Sequence, residues 1–95
     1  MKKTINGTAD LLKEVYGVEK FDKNVAGRLN DVLSELSPKE ERIIRLRFGV
    51  DDNILRTYEE LGKEFGVSAS SICRSVNRAI KKLKHPVRRK KILGE

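Results

Sequence analysis

The amino-acid sequence predicts an all-α protein, a small bundle of about five helices ending in a helix-turn-helix. Three observations carry this. Apolar residues recur at steps of three and four, with no alternating strand pattern. Ser, Thr or Asp stands ahead of each stripe, where a helix needs side-chain acceptors for its first N–H groups. Gly or Pro then follows, where a helix stops. Ninety-five residues with 38% apolar content suit one small domain with a modest core.

Thr8 is placed to cap a first helix carrying Leu11, Leu12 and Val15, with Gly17 as its stop. Asp22 is placed to cap a second, in which Val25, Leu29, Val32, Leu33 and Leu36 form one apolar stripe at steps of 4, 3, 1 and 3. Ser37-Pro38-Lys39-Glu40 combines a cap, a proline at a position that needs no N–H, and a glutamate that closes a capping box. The third helix therefore runs to about Phe48, burying Ile43, Ile44 and Phe48, and Gly49 ends it. A polar loop from Val50 to Arg56 follows. Thr57-Tyr58-Glu59-Glu60 then repeats the capping box. The fourth helix ends at Phe65-Gly66, and Ser68 caps a fifth that continues to Lys84 before His85-Pro86 breaks it.

Charge is unevenly placed along this frame. The net charge is +7, yet residues 1–67 hold twelve basic and thirteen acidic side chains. Residues 68–95 hold Arg74, Arg78, Lys81, Lys82, Lys84, Arg88, Arg89, Lys90 and Lys91 against Glu95 alone. Such a segment favours a polyanionic partner, nucleic acid ahead of a membrane surface, because its apolar residues are committed to a core.

On the fifth helix the two functions separate by angle. Ile72, Val76, Ala79, Ile80 and Leu83 fall within a sector of roughly 100° and form its core side. Ser70, Arg74, Asn77, Arg78 and Lys81 lie opposite, with Ser71 alongside and no carboxylate to repel phosphate. Arginine and asparagine are suited to base edges, and lysine to phosphates. Two helices joined by so tight a turn fit a motif in which the second helix enters the major groove and the first braces it.

Other classes find no footing. No stretch has more than two strongly apolar residues in a row, so the expectation is neither a membrane span nor a signal peptide but a cytoplasmic protein. Asn6-Gly7-Thr8 fits a glycosylation pattern that carries no weight without a secretory route. One cysteine, Cys73, and one histidine, His85, do not make a disulfide or a four-ligand zinc site. Gly62-Lys63 lacks the upstream glycine of a phosphate loop, since Thr57 stands there. The acid pairs Glu40-Glu41 and Glu59-Glu60 are explained by helix N-termini. No catalytic constellation, metal or cofactor is expected, and Cys73 reads as a partly buried filler.

"LSPKEERIIRLRFGVDD", "TYEELGKEFGVSASSI" and "RAIKKLKHP" together resemble region 4 of primary-type bacterial sigma factors. The resemblance runs from about Val25 to Lys91. It divides the chain into an N-terminal helical extension, 1–24, and a region 4-like domain, 25–95. It implies contact with the promoter −35 element in double-stranded DNA and docking on the flap of core RNA polymerase. It also implies a second protein supplying −10 recognition, because the first 24 residues hold no counterpart of the sigma segments that do so. The candidate DNA-contacting set is Thr57, Ser68, Ser70, Ser71, Arg74, Asn77, Arg78, Lys81, Arg88 and Arg89.

Where the family opens its recognition helix with arginine and glutamate, and places arginine and glutamine a turn later, this chain has Ala69, Ser70, Cys73 and Arg74. The expectation is altered base specificity. The position usually aliphatic after Ile72 is Ser75, so Val76 is expected to take over its packing. Several readings stay open on sequence alone. The module either reads DNA or acts as an adaptor on polymerase or another transcription factor; the chain is a split sigma subunit, a regulator or an excised domain. The first helix covers its own core or binds a partner, and the Arg88–Lys91 run touches phosphates or ends as a solvated tail.

Overall fold

The computed structural model describes residues 6–19 and 23–94. Asp22, the expected cap of the second helix, lies outside them. Among the described residues there are six helices: α1 (Gly7–Tyr16), α2 (Lys23–Leu33), α3 (Pro38–Phe48), α4 (Tyr58–Phe65), α5 (Ala69–Leu83) and α6 (Pro86–Leu93). They share one apolar cluster to which every helix contributes, from Leu11 and Leu12 of α1 to Ile92 of α6. Packing runs α4 on α5, α3 on α5, α2 on α6 and α1 on α3.

Local chemistry sets most of the boundaries. Both capping boxes form: Ser37 accepts from the Glu40 N–H, Thr57 accepts from the Glu60 N–H, and each glutamate reaches back to its cap. Ser68 accepts from the Ser71 N–H to start α5. Gly17, Gly49 and Gly66 each follow their helix in the left-handed conformation.

Helix α1 starts two residues earlier than expected. Its cap is Asn6, whose side chain accepts from the Ala9 N–H at 3.2 Å, and not Thr8. The cause is tertiary. Gly7 lies so close to the end of α3 that a Cβ there would sit 2.0 Å from the Gly49 carbonyl oxygen. The Gly7 N–H donates to Asn53 Oδ1 at 3.1 Å, with Asn53 itself left-handed at φ 58°. Thr8, now inside the helix, donates its hydroxyl to the Val50 carbonyl at 3.4 Å. The apolar side of α1 is thus spent inside the molecule: Leu11, Leu12, Val15 and Tyr16 are all buried.

Helix α6 adds to the expected five. His85 and Pro86 do break α5, but they also serve as the N-cap and first residue of a new helix, with the His85 side chain accepting from the Val87 N–H. Ile92 is fully buried against α2, and Arg28 Nη1 donates to its carbonyl at 3.3 Å. The C-terminal basic run is therefore an ordered helix and not a solvated tail.

Candidate nucleic-acid interface

The turn between α4 and α5 is tight because Gly62 permits it: a Cβ there would lie 2.7 Å from the Val67 carbonyl oxygen. The start of α4 is held from below by the preceding loop. The Arg47 guanidinium stacks 4.2 Å from the Tyr58 ring centre and donates to the Arg56 carbonyl. Arg56 in turn donates to the Leu46 carbonyl at 3.2 Å and pairs with Asp52 at 2.6 Å. Leu61 at the centre of α4 and Ile72, Val76, Ala79 and Leu83 of α5 are buried, which fixes the rotation of α5 about its axis. Val76 is buried and Ser75 half-buried. Ile80, expected in the core, is only half-buried, and it borders a shallow surface depression with Asn77, Arg78, Lys81 and Lys84.

That rotation places Ser70, Arg74, Asn77, Arg78 and Lys81 on the exposed side together. At the N-terminal end, Ser68 Oγ, Ser71 Oγ and Arg74 Nη2 form a chain at 3.1 and 3.2 Å. Ser68 and Thr57 are exposed, but both also cap helices, so each hydroxyl already accepts one backbone N–H. Asn77 Nδ2 lies 3.6 Å from Cys73 Sγ, and Cys73 is half-buried beside the core stripe.

The nine cations of the basic segment divide into two sets. Lys82 pairs with Glu40 at 2.8 Å, and Arg88 and Lys91 pair with Glu35 at 3.4 and 2.8 Å. Arg88 Nε is buried and, at that distance, forms no hydrogen bond, while its Nη1 donates to the Lys82 carbonyl at 3.1 Å. Arg88 is thus turned into the α5–α6 junction, whereas Arg89 points outward. Among the described residues Arg74, Arg78, Lys81, Lys84, Arg89 and Lys90 form no ion pair with a carboxylate. A hydrogen bond from Lys91 holds the Glu35 carboxyl below the ordinary range, and one from Lys82 does the same for Glu40. The partition is not legible locally, because Glu40 lies 42 residues from Lys82 and Glu35 lies 56 residues from Lys91. The local signals for α6 were present in Pro86, Gly94 and the four-residue step from Arg88 to Ile92.

No other chemistry is assembled nearby. Among the described residues no group of three or more His, Cys, Asp or Glu side chains is placed to hold a metal. No helix among them is long and apolar enough to cross a membrane.

A helix-turn-helix with one carboxylate-free cationic face defines the class, a domain built to meet a polyanion. Comparison with known proteins narrows it. The family model described as Sigma-70, region 4 matches residues 32–85. The RNA polymerase sigma factor SigA of Clostridium acetobutylicum is 48% identical over 65 residues, covering 68% of this chain and 17% of that protein. SigA of a Bacillus species is 48% identical over the same length, with the same coverage. The chain belongs to the sigma-70 region 4 family, whose members are DNA-binding, non-enzymatic domains of transcription factors. It spans about a sixth of the length of these relatives.

Proposed function

We propose that this chain binds double-stranded promoter DNA through α5, in a −35-type contact, while docking on the flap of core RNA polymerase, with a second protein supplying −10 recognition in the cytoplasm. The observation that carries this reading is the partition of charge. Three cations, Lys82, Arg88 and Lys91, are paired with Glu40 and Glu35, and six others of α5, α6 and the turn between them have no carboxylate partner among the described residues.

Arg74, Asn77 and Arg78 are the side chains in this arrangement able to reach base edges, and Lys81, Lys84, Arg89 and Lys90 serve phosphates. Ser70 and Ser71 donate to either. Thr57 and Ser68 belong to the interface through their positions at the starts of α4 and α5, and Arg88 supports it from within the junction. With Ala69, Ser70 and Cys73 in place of the family's long polar residues, base reading falls mainly to Arg74. Specificity is then altered and backbone contact carries more of the affinity.

The test is capture of core RNA polymerase by the purified chain, with and without promoter DNA, combined with selection of binding sites from random duplexes. Ternary capture with an enriched motif distinct from the usual −35 hexamer supports the reading. Capture of polymerase by a chain that ignores duplex DNA at moderate salt would replace it with a protein-binding adaptor.

A further inference from the structure

The carbonyl of Leu83, near the end of α5, has lost its normal partners. Pro86, three residues on, has no N–H, and the Val87 N–H is taken by His85 Nδ1 at 3.2 Å. The donor comes instead from 67 residues away: Tyr16 Oη of α1 donates to the Leu83 carbonyl at 2.7 Å in a buried contact. Burial pushes the Tyr16 phenol up to about 12, against a smaller opposing pull from Arg88, so the donor proton is held throughout the physiological range. The preceding carbonyl, Lys82, is covered from the other side by the His85 N–H and Arg88 Nη1. Helix α1 lies outside the family match at residues 32–85.

We propose that Tyr16 is a positioning residue for duplex binding: by supplying the missing donor at Leu83 it fixes the direction in which α6 leaves α5, and so the placement of Arg89 and Lys90 beside the recognition face. This rests on the DNA-binding reading above. A buried carbonyl left without a donor is costly enough that the junction turns until it finds water or another partner. Ile92 and Lys91 hold the far part of α6 to the core and to Glu35, so the change falls on the first turn of α6, where Arg89 and Lys90 stand.

Tyr16→Phe keeps the ring and removes only the donor. In the full chain it should weaken duplex affinity, by at most about fivefold, the largest shift in the junction's equilibrium that one net hydrogen bond supplies. That loss should vanish in an Arg89→Ala/Lys90→Ala background, where there is no α6 contact left to misplace. Amide exchange should quicken across residues 87–93 and stay unchanged at Ile43 and Ile44. Unchanged affinity, a loss that persists undiminished in the double-alanine background, or exchange quickened equally in α3 and α6 would each overturn the assignment. Arg74→Ala/Arg78→Ala separates the two failures. If that variant binds as tightly as the unaltered chain, the DNA-binding reading falls with the inference. If it is weakened while Tyr16→Phe is not, only the role of Tyr16 falls.

Discussion

Glu40 Oε1 accepts from Lys82 Nζ at 2.8 Å across 42 residues, and the same oxygen accepts from Ser37 N and Ser37 Oγ at 3.3 and 2.9 Å. One carboxylate therefore closes the start of α3 and pins α5 to it. A local capping motif thereby becomes a tertiary constraint on α5.

The two roles of Glu40 are separable by mutation. Lys82→Ala removes only a half-exposed ion pair and should cost at most about 1 kcal/mol. Glu40→Ala also opens the capping box and should cost more, about 1–2 kcal/mol. Urea unfolding of both single variants and the double variant measures the difference. Equal costs would mean that the cap contributes nothing.

Acid should destabilise the fold from a defined point. Hydrogen bonds from Lys82, Lys91 and Arg56 hold Glu40, Glu35 and Asp52 respectively below their ordinary values. Carboxyls depressed in the folded state stabilise it above their unfolded values, and that contribution is lost as pH falls through the folded ones. The urea midpoint should be level from pH 7 to about 5 and decline below the ordinary carboxylate range, about pH 4. Glu40→Gln should flatten the decline. A midpoint already falling between pH 7 and 6 would contradict this assignment.

Two glycines in helices should respond in opposite directions to the same substitution. Gly27 in α2 has no atom within 4 Å of where a Cβ would stand, so Gly27→Ala should raise stability by about 0.5–1 kcal/mol. Gly7→Ala drives a Cβ into the Gly49 carbonyl and should lower it by more than that gain. Thermal unfolding of the two variants side by side decides the matter.

Legibility followed the range of the interactions. The starts of α3, α4 and α5 are written in residues three apart, because a cap is satisfied by its own first turn. The exposed face of α5 was legible for the same reason: Ile72, Val76, Ala79 and Leu83 dictate which side turns inward, and Arg74 and Arg78 stand opposite. What depended on distant chain was hidden. Asn6 displaces Thr8 as a cap through contacts of Gly7 with Gly49 and Asn53. Helix α6 hides its single fully buried residue, Ile92, behind a run of four cations, two of which share Glu35 as a partner. Arg88 and Arg89 are neighbours in sequence with opposite surroundings, a distinction only the packing of α6 on α2 makes.

Whether the unpaired cations of α5 meet DNA is read from the salt dependence of duplex affinity for the unaltered chain, for Arg74→Ala/Arg78→Ala and for Lys81→Ala/Lys84→Ala. Both variants should bind more weakly, and the lysine variant should give a log–log slope shallower by about 0.9 for each phosphate contact removed. Identical affinity and slope in all three proteins would mean that these cations do not face the duplex.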